Sequence, residues 1–166
     1  KKFVKFIYLF CDHIFVTSPG FIKRLEPYVK NKNIQYVPQW VPDLVLKKEP
    51  HQFSFLKNKV KFIFTGSIGS MQALDVVIKA FSKVKDNNIV LYILGDGNYK
   101  EKYEKLANEL DADNIVFLGK VSQEKVLSCI NECDYTVLCL INNKLINLTI
   151  PAKFQTYLAA GKPILA

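Results

Sequence analysis

The chain has 166 residues, of which 49% are hydrophobic and 23% charged, with seven Gly and seven Pro. That length supports one globular domain, or one domain plus part of another, with a core burying roughly 70% of the unfolded surface; disordered, collagen-like and mucin-like chains are excluded. No apolar stretch approaches the roughly 18 residues of a membrane span, since Phe6–Cys11 stops at Asp12 and Tyr135–Ile141 is fenced by Asp134 and Asn142.

The net charge of +8 is unevenly placed: residues 1–61 carry 12 Lys/Arg against four acids, whereas residues 62–166 carry 11 Lys against 11 acids. The whole excess sits in the first third, including Lys1, Lys2 and Lys5. A basic face of this kind meets an anionic membrane surface or an acidic substrate, or is simply a solvated surface. Nucleic acid is disfavoured as a partner, because Arg24 is the only arginine and Arg is the preferred reader of bases and phosphates. Cys11, Cys129, Cys133 and Cys139 form no C-x-x-C and no zinc-like pairing with His13 or His51. They read as thiols of a reducing compartment, with no metal site. With no cleavage region of a signal peptide at the N-terminus, a cytoplasmic protein is expected.

In chain order, residues 3–11 read as the end of a helix and His13–Thr17 as a short strand. Ser18-Pro19 supplies an N-cap and a first-turn proline for a helix carrying Phe21, Ile22, Leu25, Tyr28 and Val29. Asn33–Val37 is a second strand. Residues 38–59 hold Pro38, Pro42 and Pro50 with no sustained period and read as a linker, at the same place as the charge break.

A regular rhythm follows. Val60–Thr65 is a buried strand ending at Gly66-Ser67-Ile68-Gly69, and a helix shows Leu74, Val77, Ile78 and Phe81 on one face. Ile89–Leu94 is a strand ending at Gly95-Asp96-Gly97, before a helix burying Tyr103, Leu106, Ala107 and Leu110. Asn114–Leu118 ends at Gly119, and Val126, Leu127 and Ile130 line the next helix. Tyr135–Ile141 is a strand, Asn142–Asn147 a polar loop, and a helix begins near Pro151. Ile164-Leu165-Ala166 starts one more strand, so the chain is expected to be a piece of a longer protein. Apolar strands alternating with amphipathic helices predict an α/β fold, a Rossmann-like parallel sheet with helices on both faces.

Ligands of such a sheet bind at the carboxyl ends of its strands. Three strands end there in glycine, at Gly66, Gly95 and Gly119, each serving either the close approach of a ligand or a tight turn. Gly95-Asp96-Gly97 lacks the third glycine of a dinucleotide fingerprint, and Gly66-x-x-Gly69 lacks the Gly-Lys-Ser/Thr of a P-loop, which argues against NAD and ATP. No cofactor is expected. In the segment Leu148–Pro163, Pro151 suits a helix first turn, whose N–H groups and dipole favour an anion. Phe154, Tyr157 and Leu158 are expected on its buried face. Lys153 and Thr156, three apart on another face, suit a diphosphate and a ribose, or are an ordinary solvated pair.

The pattern Pro151-x-Lys153-(x)3-Tyr157-Leu-Ala-Ala-Gly-Lys-Pro163 resembles the donor-site signature of the glycosyltransferases of group 1, family 4, which have the GT-B fold. The resemblance extends through residues 116–121, 94–97 and 66–75, and upstream through 11–18 and 37–42. The forms at 66–74 and 149–157 are most similar to a branch with L-fucosamine transferases of surface-polysaccharide assembly. It implies residues 1–37 as the tail of an N-terminal acceptor domain, 38–59 as an interdomain linker and 60–166 as a nucleotide-sugar-binding domain, truncated at its end.

By the same resemblance, the loop Gly66, Ser67, Gly69 and Gln72 faces the donor diphosphate. Gly95 and Gly97 flank the nucleoside, backbone groups at Lys120 and Val121 read the base, and Leu148 and Thr149 offer main-chain N–H groups to the diphosphate beside Lys153. Many members carry Arg at the position of Ser67, Lys at that of Gln72, and a pair of Glu at those of Leu148 and Thr156. The Glu pair associated with retaining transfer is therefore absent, and no catalytic residue is assigned. The implied function is transfer of a sugar from a nucleotide diphosphate sugar, UDP-linked, to a lipid-linked or glycan acceptor, by a protein peripheral to the inner face of the cytoplasmic membrane. The alternative is a noncatalytic nucleotide-sugar-binding or partner-docking subunit of the same fold.

Overall fold

Strand and helix alternate in the computed structural model, which describes residues 2–29 and 33–166. Lys1, counted above in the basic excess, lies outside the described residues. The chain divides into two units, one of residues 1–40 with 142–152, the other of residues 41–141 with 153–166.

The first unit contains α1 (Lys2–Leu9), β1 (Ile14–Val16), α2 (Gly20–Leu25) and β2 (Ile34–Tyr36). β1 and β2 pair in parallel, Ile14 opposite Ile34. Ser18 does not cap α2 through its side chain. Its main-chain oxygen accepts from the Phe21 N–H at 3.1 Å, while its hydroxyl accepts from the Ile150 N–H at 2.7 Å. The seryl oxygen, fully buried, thus fastens residues 142–152 to this unit. α1 buries none of its residues and exposes Phe3, Phe6 and Leu9.

The second unit opens with residues 41–59, where the absence of a sustained period predicts a linker without regular structure. It contains a one-turn helix, α3 (Asp43–Leu46), whose Val45 is buried. α3 packs on a later helix, α6 (Gln123–Asn131). Phe53 and Phe55 join the core, the Phe55 ring lying 4.7 Å from that of Tyr92, and the Leu56 N–H donates to the Tyr92 hydroxyl at 2.8 Å. Scattered aromatic residues with no period anchor an extended segment as well as an amphipathic face would.

The sheet of this unit is formed by β3 (Val60–Thr65), β4 (Ile89–Leu94), β5 (Ile115–Gly119), β6 (Tyr135–Val137) and β7 (Ile164–Leu165). All pairs are parallel, in the spatial order β5-β4-β3-β6-β7. The expected α/β architecture is therefore what the chain adopts. Alternate side chains face opposite ways along each strand. Phe64, Leu91, Ile93 and Val137 pack under α4 (Leu74–Phe81) and α5 (Lys100–Glu109), whereas Ile63, Val90, Tyr92 and Leu94 pack against α6 and Tyr157 of α7 (Ala152–Ala159). Both faces are thus covered by helices, which explains why the strands read as continuous apolar runs.

β6 is shorter than its apolar run: it ends at Val137, the Leu138 N–H still donates to the Leu165 oxygen at 2.8 Å, and the chain then leaves the sheet toward the loop after β3, where the Ile141 N–H donates to the Met71 oxygen at 3.0 Å. Leu110 lies just beyond α5 and is exposed, not buried as its spacing predicts. Cys129 and Cys133 are buried free thiols, pushed up to about 11 and about 12 by desolvation. No helix is long and apolar enough to cross a membrane among the described residues.

Candidate functional site

In the order β5-β4-β3-β6-β7, β3 is the strand from which the chain runs first one way, to β4 and β5, and then the other, to β6 and β7. The carboxyl edge between β3 and β6 is the topological switch point, the place where open α/β sheets have their ligand crevice.

On the β4 side of that point the turns are tied to one another by main chain. The Gly66 N–H donates to the Leu94 oxygen at 2.9 Å, the Ile68 N–H to the Asp96 oxygen at 2.8 Å, and the Gly95 N–H to the Gly119 oxygen at 2.8 Å. Gly95 and Gly97 carry φ of 151° and 154°. A Cβ on Gly95 would sit 1.8 Å from the Gly66 oxygen, and one on Gly97 2.4 Å from the Ile68 oxygen. These two glycines, expected to flank a nucleoside, are required by turn packing against turn before any ligand is considered. Lys120, exposed, and Val121, packed on the α6 face of the core, continue from the end of β5.

On the β6 side the crevice is built by side chains of α7. At 100° per residue Lys153 and Tyr157, four apart, share one face. Tyr157 is fully buried, and its hydroxyl accepts from the Thr65 N–H at 2.9 Å and the Thr65 hydroxyl at 3.3 Å while donating to the Val137 oxygen at 3.2 Å. Desolvation pushes the phenol up to about 12, so it stays a neutral three-way clamp on the ends of β3 and β6. Leu158, expected to share this face, points 100° away from Tyr157 and is 57% exposed. Thr156, half-buried, lies about 60° round the helix from Lys153, and Tyr157 about 40° round on the other side.

One turn before the clamp, the Lys153 Nζ donates to the Gln72 Oε1 at 2.8 Å and lies 3.9 Å from the centroid of the Phe64 ring. A Cβ on Gly66 would meet the Lys153 Cε and Nζ at 3.7 Å, so the bare glycine face turns toward the amine. Burial lowers the amine to about 8, against which only Cys139, itself pushed up to about 11 by desolvation, acts in the other direction. Among the described residues no carboxylate lies within 4.0 Å of Lys153. A desolvated ammonium held by an amide oxygen and a ring face is short of an anion.

Of the residues singled out in the sequence, the second unit brings together Gly66, Gln72 and Lys153. Ser67 and Gly69 lie in the same loop, and no Cβ contact within 4 Å would crowd Gly69. Leu148 and Thr149 belong to the first unit, where Leu148 lies against Gly20. Their N–H groups, expected as diphosphate donors, are already committed within one turn, to the Leu145 oxygen at 3.1 Å and the Ile146 oxygen at 2.9 Å. Tyr157 and Phe64 were missed as site residues: an apolar strand position and a helical aromatic read as core, and only the i, i+4 spacing of Lys153 and Tyr157 hinted otherwise. No cluster of three or more His, Cys, Asp or Glu able to hold a metal occurs among the described residues.

Against known proteins, residues 46–166 match the family described as glycosyl transferases group 1. The chain is similar to the putative colanic acid biosynthesis glycosyl transferase WcaI of Escherichia coli K12, 25% identical over 147 residues, covering 84% of this chain and 36% of that protein. It is similar to the probable glycosyltransferase WbjE of Pseudomonas aeruginosa, 22% identical over 173 residues, covering 100% of this chain and 43% of that protein. It thus spans less than half the length of these relatives. Among solved structures it resembles WaaG, a glycosyltransferase involved in lipopolysaccharide biosynthesis, at TM-score 0.71 and 14% identity over 90% of this chain and 42% of that one. It also resembles Anabaena Alr3699/HepE in complex with UDP, at TM-score 0.69 and 12% identity over 98% of this chain and 46% of that one. At these identities the likeness is one of fold. The family match spans most of the chain and takes in the whole five-stranded sheet with the Lys153 crevice, and the chain belongs to the group 1 glycosyl transferases.

Proposed function

We propose that the full protein transfers a glycosyl unit from a nucleotide diphosphate sugar, UDP-linked, to a lipid-linked or glycan acceptor in surface-polysaccharide synthesis. The observation that carries this reading is the Lys153 amine, placed at the switch point of the sheet with neutral partners. Negative charge develops on the leaving diphosphate as the glycosidic bond breaks, and a fixed ammonium in a partly desolvated crevice stabilises it there. The loop from Gly66 to Gly69 brings main chain close to the same position. The UDP complex of HepE supports the choice of nucleotide by analogy of fold, and the polysaccharide and lipopolysaccharide relatives support the acceptor class. The finer likeness to L-fucosamine transferases rests on the forms of residues 66–74 and 149–157 alone. Residues 1–37 serve as the tail of an acceptor domain and 60–166 as the donor domain in this reading.

Titration of the full-length protein with UDP, GDP and ADP tests it. UDP is expected to bind most tightly and to perturb amides near Gly66 and Val121, with binding weakened at least tenfold by Lys153→Gln. Tighter binding of ADP, or perturbations confined to residues 38–59, would sink the assignment.

Attachment to an anionic membrane is the further part of this proposal. Its support is the +8 of residues 1–61 beside the exposed apolar side chains of α1. Each exposed lysine contributes about 1 kcal/mol near such a surface. Sedimentation with liposomes is expected to require anionic lipid and to weaken with salt; equal binding to neutral liposomes would refute the electrostatic account.

A further inference from the structure

The Lys153 amine is the free end of a long, flexible side chain, and something must hold it over the Phe64 ring. Its hydrogen-bond acceptor is the amide of Gln72, 81 positions away in sequence, on the short 3-10 turn Ser70–Gln72. That turn is itself pinned. The Gln72 N–H donates to the Gly69 oxygen at 3.3 Å, the Met71 oxygen accepts from the Ile141 N–H at 3.0 Å, and Ala73, at φ 46° and ψ 32°, leads into the fully buried Leu74. A left-handed alanine is uncommon and needs surrounding structure to sustain it. The buried start of α4 thus fixes where the Gln72 side chain begins.

We propose that Gln72 is a positioning residue for donor binding: its amide oxygen aims the Lys153 ammonium into the crevice between β3 and β6 without neutralising it, leaving the diphosphate of the nucleotide sugar as the counter-ion. This rests on the donor-site reading above. A carboxylate at the same place would hold the amine equally well but would form an ion pair with which every incoming diphosphate must compete. An amide supplies the acceptor and leaves the charge available.

The groups that face the amine are few. Gln72 and the Phe64 ring are uncharged, the Cys139 thiol approaches from the segment after β6, and Tyr157 lies one turn along α7. Asp75, the acid nearest in sequence to Gln72, is engaged with Lys79 at 3.5 Å. Burial sets the free amine near 8, so it is only partly charged at mildly alkaline pH, and an arriving diphosphate draws a proton onto it. Donor affinity therefore falls as pH rises through about 8, and any change in what Gln72 offers moves that fall.

The experiment is calorimetric titration of the full-length protein with UDP between pH 6.5 and 9.5, alongside acetic anhydride labelling of Lys153 read by mass spectrometry. Thermal melts confirm that each variant is folded. Gln72→Glu is expected to weaken UDP at least tenfold at pH 7 and to move the labelling midpoint of Lys153 upward. Gln72→Met, of similar length without the acceptor, is expected to weaken UDP several-fold while leaving the fold intact. If Lys153→Gln weakens UDP but both Gln72 variants retain wild-type affinity and pH midpoint, Gln72 has no positioning role and the donor reading survives. If Lys153→Gln leaves UDP binding unchanged, the donor role of Lys153 falls and this proposal falls with it.

Discussion

The carboxyl edge of the sheet is finished in two ways on either side of β3. Toward β4 and β5 the turns at Gly66, Gly95 and Gly119 are tied to one another by main-chain hydrogen bonds, and at Gly95 and Gly97 a Cβ would strike a carbonyl. Toward β6 the edge is held by side chains, through the Tyr157 hydroxyl on Thr65 and Val137 and the Lys153 amine on Gln72. The first arrangement leaves no room for a side chain at Gly95 or Gly97, and its charged residues, Asp96 and Lys120, are exposed to solvent. The second leaves an ammonium without a carboxylate at the point where the strand order reverses. Glycine turns at a sheet edge therefore do not by themselves locate a ligand; the charged side chain that the fold desolvates does.

The largest effect is expected where backbone meets backbone. Gly95→Ala places a methyl 1.8 Å from the Gly66 oxygen at a φ of 151° that alanine rarely adopts. Neither carbonyl nor turn can yield without breaking the hydrogen bonds between β3, β4 and β5. A loss of more than about 3 kcal/mol is expected, read by urea unfolding, or failure to recover folded protein. A Gly95→Ala variant of wild-type stability would show that the two turns are not locked.

Lys153→Met tests the other side and has the opposite sign for stability. The native amine releases its proton near pH 8 and the unfolded one near 10.5. Between those values the unfolded chain binds more protons, so stability rises with pH; below about 8 the full penalty of burying the charge is present. Removing the charge is expected to stabilise the protein by about 1–3 kcal/mol at pH 7 and to flatten the rise between 8 and 10.5. UDP binding is expected to drop together with that gain. Such a trade is the mark of a residue kept for function. Destabilisation at pH 7 would mean that the amine has an anionic partner in the native protein.

Tyr157→Phe removes the clamp while keeping the ring. The Thr65 N–H and the Val137 oxygen lose the phenol, and a cost of about 1–3 kcal/mol follows from leaving buried groups unpaired. UDP affinity is expected to fall less than with Lys153→Gln, because α7 remains packed through its ring. A near-zero stability change would indicate that water replaces the hydroxyl and that the crevice is wetter than its burial implies.

Much of this architecture was readable from the residues, because β3 and β4 are buried on both faces and bounded by turn residues, so that Val60–Thr65 and Ile89–Leu94 are found to the residue. Reading failed where partners are distant in sequence. Ser18 has the form of a helix cap, yet its hydroxyl serves Ile150, 132 positions away. For Lys153, what no spacing rule shows is its holder, Gln72, 81 positions away. The apolar run to Ile141 overstates β6, since hydrophobicity marks burial and not where pairing stops. The departure at Gln72 from the resembled pattern acquires a physical sense only with the amine in view. A second cation at position 72 would repel Lys153, whereas the amide holds it.

The smallest change expected also discriminates most finely between the two sides. Gly69 has φ −126° and ψ 177°, extended backbone open to any residue, and a Cβ there meets nothing within 4 Å. Gly69→Ala is therefore expected to alter stability by less than about 0.5 kcal/mol, in contrast to Gly95→Ala in the neighbouring turn. Packing gives no reason for a glycine at this position, so any effect on UDP affinity comes from the ligand itself. Unchanged stability with weakened UDP would mean that the diphosphate approaches the main chain closely at Gly69, extending the crevice from Lys153 along the loop. Unchanged stability with unchanged UDP would confine the ligand contacts of this loop to the Gly66 end, beside the amine.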